Sequence, residues 1–199
     1  MTNPAHYRLS WQGPFVLQGI HGESCFDSAA AKMCGVYIFA ANYRRGYLVY
    51  AAGWTTRRFT TRLKEHVRAY RKGMYTVLDS LSLQDGRRVE VWHGMWTKKA
   101  TNTPERKALF QSRRDKIQPA IDDLLRTLRI FVAPLPPERR VLARIESAIM
   151  NMLWSADEPI NTIPDRGMAL APRRPDEPPF IVHSYTPSIL FGIPSRFEA

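Results

Sequence analysis

The chain has 199 residues, 44% of them apolar and 24% charged, which suits one folded domain with embellishments and excludes a disordered polymer. Its 29 Lys and Arg against 18 Asp and Glu leave a formal charge of +11, an excess that points to a polyanion, either nucleic acid or an anionic membrane surface. No apolar run is long enough to span a bilayer, and the opening MTNPAHYRLSWQG has no basic stretch followed by an apolar one, so neither secretion nor membrane insertion is expected. Cys25 and Cys34 form neither a metal-ligand spacing nor a disulfide framework. The expectation is a cytoplasmic protein that partners nucleic acid and not a membrane.

The first thirty or so residues mix aromatics with Gly13, Gly19 and Gly22 without a sustained period, and read as an irregular arm that packs on the rest. Gly35 to Ala40, a compact β-branched and aromatic run, predicts a strand. Asn42 to Gly46 suits a turn and Tyr47 to Ala52 a second strand, so the two form a hairpin. Thr55 or Thr56 can cap a helix running to Arg71, in which Phe59, Leu63, Val67 and Tyr70 recur at helical spacing. Its opposite face carries Arg57, Lys64, Arg68 and Arg71. Arg88 to Trp92 alternates as a strand does. Pro104 onward, through Leu109, Phe110, Ile117, Ile121 and Leu124, reads as helical, with Pro119 forcing a kink or a break.

Leu128 to Ala133 is strand-like. Glu138 to Trp154 carries one apolar stripe, Val141, Leu142, Ile145, Ala148, Ile149, Met152 and Leu153, the most regular pattern in the chain. Ala171 to Pro179 is a Pro-rich connector. Phe180 to Phe197 is apolar again and predicts a tail that docks on its own domain or on a partner chain.

Tyr37, Arg62, His66 and Glu146 stand where a stable fold does not need them. Arg62 and His66 are four apart on the same helix, beside Phe59 and Leu63 at the edge of the buried stripe. Glu146 lies between Leu142 and Ile149, where a partly desolvated carboxylate needs a cation or a donor. Tyr37 alternates with Val36 and Ile38, which fixes the face its hydroxyl takes. These groups match the needs of phosphodiester hydrolysis. A hard cation such as Mg²⁺ keeps several waters, so Glu146 can be its only protein ligand. The ion and Arg62 can neutralise charge developing on the phosphate, and a Tyr or His can take a proton from water. A free Tyr titrates near ~10, so a Tyr base needs positive charge beside it.

Taken in order, these residues resemble the GIY-YIG nuclease family over roughly residues 35–162. Gly35-Val36-Tyr37 resembles its opening triplet, and Arg62-Leu63-Lys64-Glu65-His66 its R-x-x-x-H helix. Glu146 and the downstream Pro159-Ile160-Asn161-Thr162 resemble its metal-binding Glu and Pro-x-Asn. The resemblance implies an α/β (α+β) fold in which a small three-stranded antiparallel sheet is flanked by helices. Around it lie an N-terminal arm (1–34), a helical insertion (about 72–128) within the nuclease-like unit (35–165), and a C-terminal extension (166–199). It also implies roles. Tyr37 activates water with His66 hydrogen-bonding nearby, Arg62 contacts the scissile phosphate, Glu146 holds one Mg²⁺ or Mn²⁺, and Asn161 braces the site.

The second motif departs from the family's Tyr-Ile-Gly, because the chain reads Tyr50-Ala51-Ala52-Gly53. If Gly53 is the motif glycine, Ala51 stands at the tyrosine position. Tyr50 supplies that hydroxyl only with a bulge, since a one-residue slip reverses the face. The implied activity is a restriction-type, site-specific DNA endonuclease with a homodimer matched to two-fold sites. The alternative is a nucleic-acid-binding module that kept the fold and lost cleavage. Arg57, Arg58, Lys64 and Arg68 are candidate phosphate contacts, as are Arg113, Arg114, Lys116, Arg139 and Arg140 unless these are solvated faces. His93 has no partner in the sequence and reads as structural.

Overall fold

The computed structural model describes residues 4–17, 23–96 and 102–199; Gly19 and Gly22 lie outside them. The N-terminal part forms strands β1 (Ala5–Ser10), β2 (Gln12–Val16), β3 (Gly35–Tyr43) and β4 (Gly46–Thr55), then helix α1 (Phe59–Arg71). Next come β5 (Val77–Leu78), α2 (Ser80–Gln84), β6 (Glu90–Trp92), α3 (Pro104–Ser112) and α4 (Arg114–Thr127). Strand β7 (Arg129–Pro134), helix α5 (Arg139–Ser155) and strands β8 (Phe180–Tyr185), β9 (Leu190–Phe191) and β10 (Arg196–Glu198) complete the order.

β3 has its two neighbours, β4 and β7, antiparallel to it, and it is buried along nearly its whole length. Alternation along it sorts the core. Tyr37 and Phe39 enter one apolar cluster with Phe59, Leu63, Val67 and Tyr70 of α1 and Ile117, Ile121, Leu124 and Leu125 of α4. Val36, Ile38 and Ala40 enter the other, with Leu142, Ile145, Ile149, Met150 and Leu153 of α5. Each fully buried aliphatic side chain in these clusters contributes roughly 1.5–3 kcal/mol of transfer free energy. Among the described residues no helix is long and apolar enough to cross a membrane.

The mixed α/β class matches the expectation; the three-stranded sheet does not. The antiparallel trio β4-β3-β7 is the centre of a five-stranded sheet ordered β2-β7-β3-β4-β9. The arm is not irregular, because β2 extends the sheet beyond β7 and β1 lies parallel to β8 in a second, three-stranded sheet β1-β8-β10. A free edge on either side would expose unpaired backbone groups, and the two ends of the chain supply the missing neighbours. The tail docks on its own chain through Phe180, Val182, Leu190 and Phe197, which leaves these side chains unavailable to a dimer interface. The Pro-rich connector is held as well: Arg140 of α5 donates to Glu177 and to the carbonyl oxygens of Ala171 and Pro172.

Two local expectations also change. The insertion is not wholly helical, since β5 and β6 pair within it. Pro119 does not end a helix, for α4 runs through it and the break falls at Arg113. Pro119 removes one backbone bond near the start of α4, and the buried stripe Ile117, Ile121, Leu124 and Leu125 holds the rest.

Candidate active site

Position 37 faces α1, and that places its phenol under the first turns of the helix. Tyr37 is 1% exposed, with its ring edge-on to Phe39, Phe59 and His66. Arg62 Nε donates to the Tyr37 hydroxyl at 3.1 Å, and His66 Nε2 lies 2.6 Å from the same oxygen. An imidazole carrying its proton on Nδ1 leaves Nε2 free to accept the phenolic O–H, so the hydroxyl can donate to one partner and accept from the other. Burial lowers the pKa of His66 to about 3, with the Arg62 charge acting in the same direction and Glu65 against it; His66 is therefore neutral near pH 7. Burial holds the pKa of Tyr37 well above the usual phenol range; Arg62 opposes this without cancelling it, and Glu146 and Tyr75 add to the rise, so the phenol is protonated at rest near pH 7.

Gly53 makes this geometry possible. It is the cross-strand partner of Tyr37, and a Cβ at position 53 would come within 2.4 Å of the phenol oxygen. The ring of Tyr37 lies where a side chain would be.

Glu146 comes from α5, on the other face of the sheet, yet it shares the electrostatic field of Arg62 and Tyr37. Burial raises its carboxyl to about 7, while the indole of Trp54 and the guanidinium of Arg62 act to lower it. Arg144, the neighbouring cation in sequence, does not pair with it, donating instead to the carbonyl oxygens of Pro178 and Ala199. No group of three or more His, Cys, Asp or Glu side chains that could hold a metal occurs among the described residues. A desolvated carboxylate of this kind fits a hard cation that keeps most of its waters.

Tyr50 and Asn161 are placed differently from Tyr37, Arg62 and His66. Ala51 faces Phe39 and Val49 faces Ala40, which leaves Tyr50 as the extra residue of a bulge. The bulge turns Tyr50 to the same face as Tyr37, but its hydroxyl bonds to that of Tyr70 at 3.0 Å. Asn161 sits in a short 3₁₀ turn, Ile160–Thr162, and lines a cavity with Arg88, His93 and Trp96. Of the candidate phosphate contacts, Arg57 chelates Glu65 at 2.7 and 2.8 Å, Lys64 lies over the ring of Phe26, and Arg58, Lys64 and Arg68 are exposed. His93 does have a partner, Glu90 Oε2 at 3.0 Å.

Residues that periodicity did not single out complete the surroundings. Glu65 joins Arg57 to Arg62, which it meets at 3.4 Å; its position three residues after Arg62 was a readable signal. Tyr75 packs on His66 with ring centroids 5.3 Å apart and on Trp96 at 5.2 Å. It stands in the turn after α1, where no periodic pattern marks it. Comparison of the chain with protein-family models, curated proteins and solved structures gave no match.

Proposed function

We propose that the chain is a metal-dependent DNA endonuclease of the GIY-YIG kind that hydrolyses a phosphodiester with Tyr37 as general base. One observation carries the reading: a buried phenol meets a guanidinium and a neutral imidazole at the same oxygen, in the field of a carboxylate that burial holds near pH 7. A core tyrosine is usually satisfied by one neutral partner, as Tyr50 is by Tyr70; here a charged guanidinium and an imidazole meet at one oxygen. The charge of +11 supports a polyanionic substrate.

Arg62 stabilises negative charge on the Tyr37 oxygen through its Nε, and the rest of its guanidinium would serve a phosphate oxygen of the substrate. His66 is a positioning residue: its Nε2 accepts the phenolic O–H as a hydrogen bond and orients the oxygen. Tyr37 takes a proton from water only after its own phenolic proton has left to solvent, a form that the Arg62 charge favours. Glu146 is the residue that would hold Mg²⁺ or Mn²⁺, and such an ion supplies charge neutralisation at the phosphate. Exposed Arg58, Lys64 and Arg68 extend the basic face of α1 along the DNA backbone. The reading extends to a site-specific, restriction-type enzyme in the cytoplasm, with a homodimer on two-fold sites.

Tyr37→Phe keeps the ring and removes the oxygen. The initial rate of plasmid nicking is expected to fall by at least ~10²-fold, the scale of a lost general base, with little change in the thermal midpoint. Arg62→Lys should not restore the rate of Arg62→Ala, because an ammonium lacks the fork that serves Tyr37 and a phosphate together. Wild-type nicking by Tyr37→Phe would place the base elsewhere.

A second reading, a binding module without cleavage, draws on Ala51 and on the engagement of Tyr50 with Tyr70, which leave the second motif without a free hydroxyl. Such a module would hold DNA equally well after Glu146→Ala and never nick it.

A further inference from the structure

We propose that the cavity beside the Tyr37 site accepts a single unstacked nucleobase of a DNA strand. The class of ligand rests on the nuclease reading above; the kind of contact rests on the cavity itself. Its volume is about 530 Å³, within the range of small-molecule sites at ~300–1,000 Å³. It is lined by Arg88, His93, Trp96, Asn161, Pro164 and Arg166, with Asp165 also present.

Three features of the lining call for a flat, hydrogen-bonding, anionic ligand. Trp96 is a half-buried ring on the cavity wall, held in the left-handed region at φ 49°. Its backbone N–H donates to Met74 O at 2.9 Å. Asn161 Oδ1 is buried and has no hydrogen-bond partner among the described residues. A turn of the Asn161 amide would bring this unpartnered acceptor to the cavity it lines, where the amino or ring N–H of a base is a matching donor. Arg166 is exposed, and among the described residues its Nη2 reaches only the carbonyl oxygens of Trp154 and Asn161, at 3.5 and 3.4 Å. Arg88, by contrast, is already paired with Glu90 and Asp165, each at 2.6 Å, so Asp165 does not repel an anion as a bare charge would. Among the described residues of the lining, Arg166 is thus the cation left for a phosphate.

Position completes the inference. Trp96 contacts Tyr75, Tyr75 contacts His66, and His66 bonds to Tyr37. A base stacked on Trp96 is therefore a short walk along the strand from a phosphate at Arg62. Base–aromatic stacking is indifferent to base identity while the hydrogen-bonding edge is not, so the pocket adds grip from Trp96 and discrimination from Asn161.

The test compares two fluorescein-labelled single strands, roughly 12 nucleotides long to match usual single-strand site sizes. One is of mixed sequence and the other is abasic throughout. Binding is read by anisotropy in EDTA with the full-length protein. Wild-type protein is expected to prefer the base-bearing strand. Trp96→Ala should weaken that strand by roughly 5- to 100-fold and leave the abasic strand unchanged, while Trp96→Phe should keep most of the preference. Arg166→Ala should weaken both strands and reduce the salt slope by about 1. A thermal melt of Trp96→Ala checks its folding, and Trp96→Phe decides the matter if it does not fold. Equal wild-type affinity for the two strands, or equal losses on both with folded Trp96→Ala or with Trp96→Phe, would overturn the pocket. A protein that prefers bases yet leaves plasmid intact keeps the pocket and loses the nuclease reading. One that nicks plasmid with no base preference does the reverse.

Discussion

Glu146→Gln is expected to abolish Mg²⁺-dependent cleavage and, at pH 8 without metal, to make the protein more stable. The two effects have opposite signs and one cause. The folded carboxyl titrates near 7, above its ordinary value of 4.5, because burial disfavours the charged form. The folded state therefore binds this proton more tightly than the unfolded state. Stability from this group is full below pH 4.5, declines as pH rises through the interval to about 7, and is lost above it. Glutamine removes a buried-charge cost on the order of 2–3 kcal/mol at pH 8, or roughly 5–10 °C in the thermal midpoint of a chain this size. Mg²⁺ should raise the midpoint of the wild type at pH 8, less so at pH 6, and leave the variant unmoved. Melts at pH 6 and 8, with and without Mg²⁺, check this. A variant less stable than wild type at pH 8 would mean that Glu146 already has a partner that satisfies its charge.

Gly53→Ala is expected to cost about as much activity as removing the hydroxyl of Tyr37. The added methyl comes within 2.4 Å of both Cζ and the oxygen of Tyr37 and 2.6 Å of Cε2. The ring has nowhere to go, since it is 1% exposed and bounded by Phe39, Phe59 and His66. Overpacking of this kind costs roughly 1–3 kcal/mol of stability. Displacing the oxygen also breaks the 2.6 Å and 3.1 Å bonds to His66 and Arg62, and a shift of ~1 Å at a reacting group can cost about 10²-fold in rate. The double variant with Tyr37→Phe should be little slower than either single one, because both remove the same hydroxyl from its place. Nicking rates of the four proteins measure that coupling. Full activity in Gly53→Ala would show that the position of this phenol does not matter to the reaction.

The elements legible in the sequence are those whose pattern is local and repeated. The hairpin of β3 and β4, the face of α1 and the stripe of α5 each follow from a strand or helix period over more than one turn or pleat. Tyr37, Arg62 and His66 were legible together for the same reason: a strand position and two helix positions four apart define their faces. What the sequence hides is non-local or short. The pairing of β1 with β8 joins residues near opposite ends of the chain, and no window contains both. β5 has two residues, too few to show a period. The bulge at Tyr50 could be posed as a condition, yet which hydroxyl Tyr50 would meet depends on Tyr70 across the core. The placement of Asn161 beside Trp96 and Arg166 depends on two loops meeting, and neither loop announces the other.

Supercoiled plasmid incubated with the wild type in Mg²⁺, beside the same protein in EDTA and Glu146→Ala in Mg²⁺, tests the central claim most directly. Nicked or linear DNA is expected in the first lane alone, as discrete fragments if cutting is site-specific. Plasmid left intact in every lane but retarded in mobility would contradict it, and would mean that the Tyr37, Arg62 and Glu146 constellation binds DNA without cutting it.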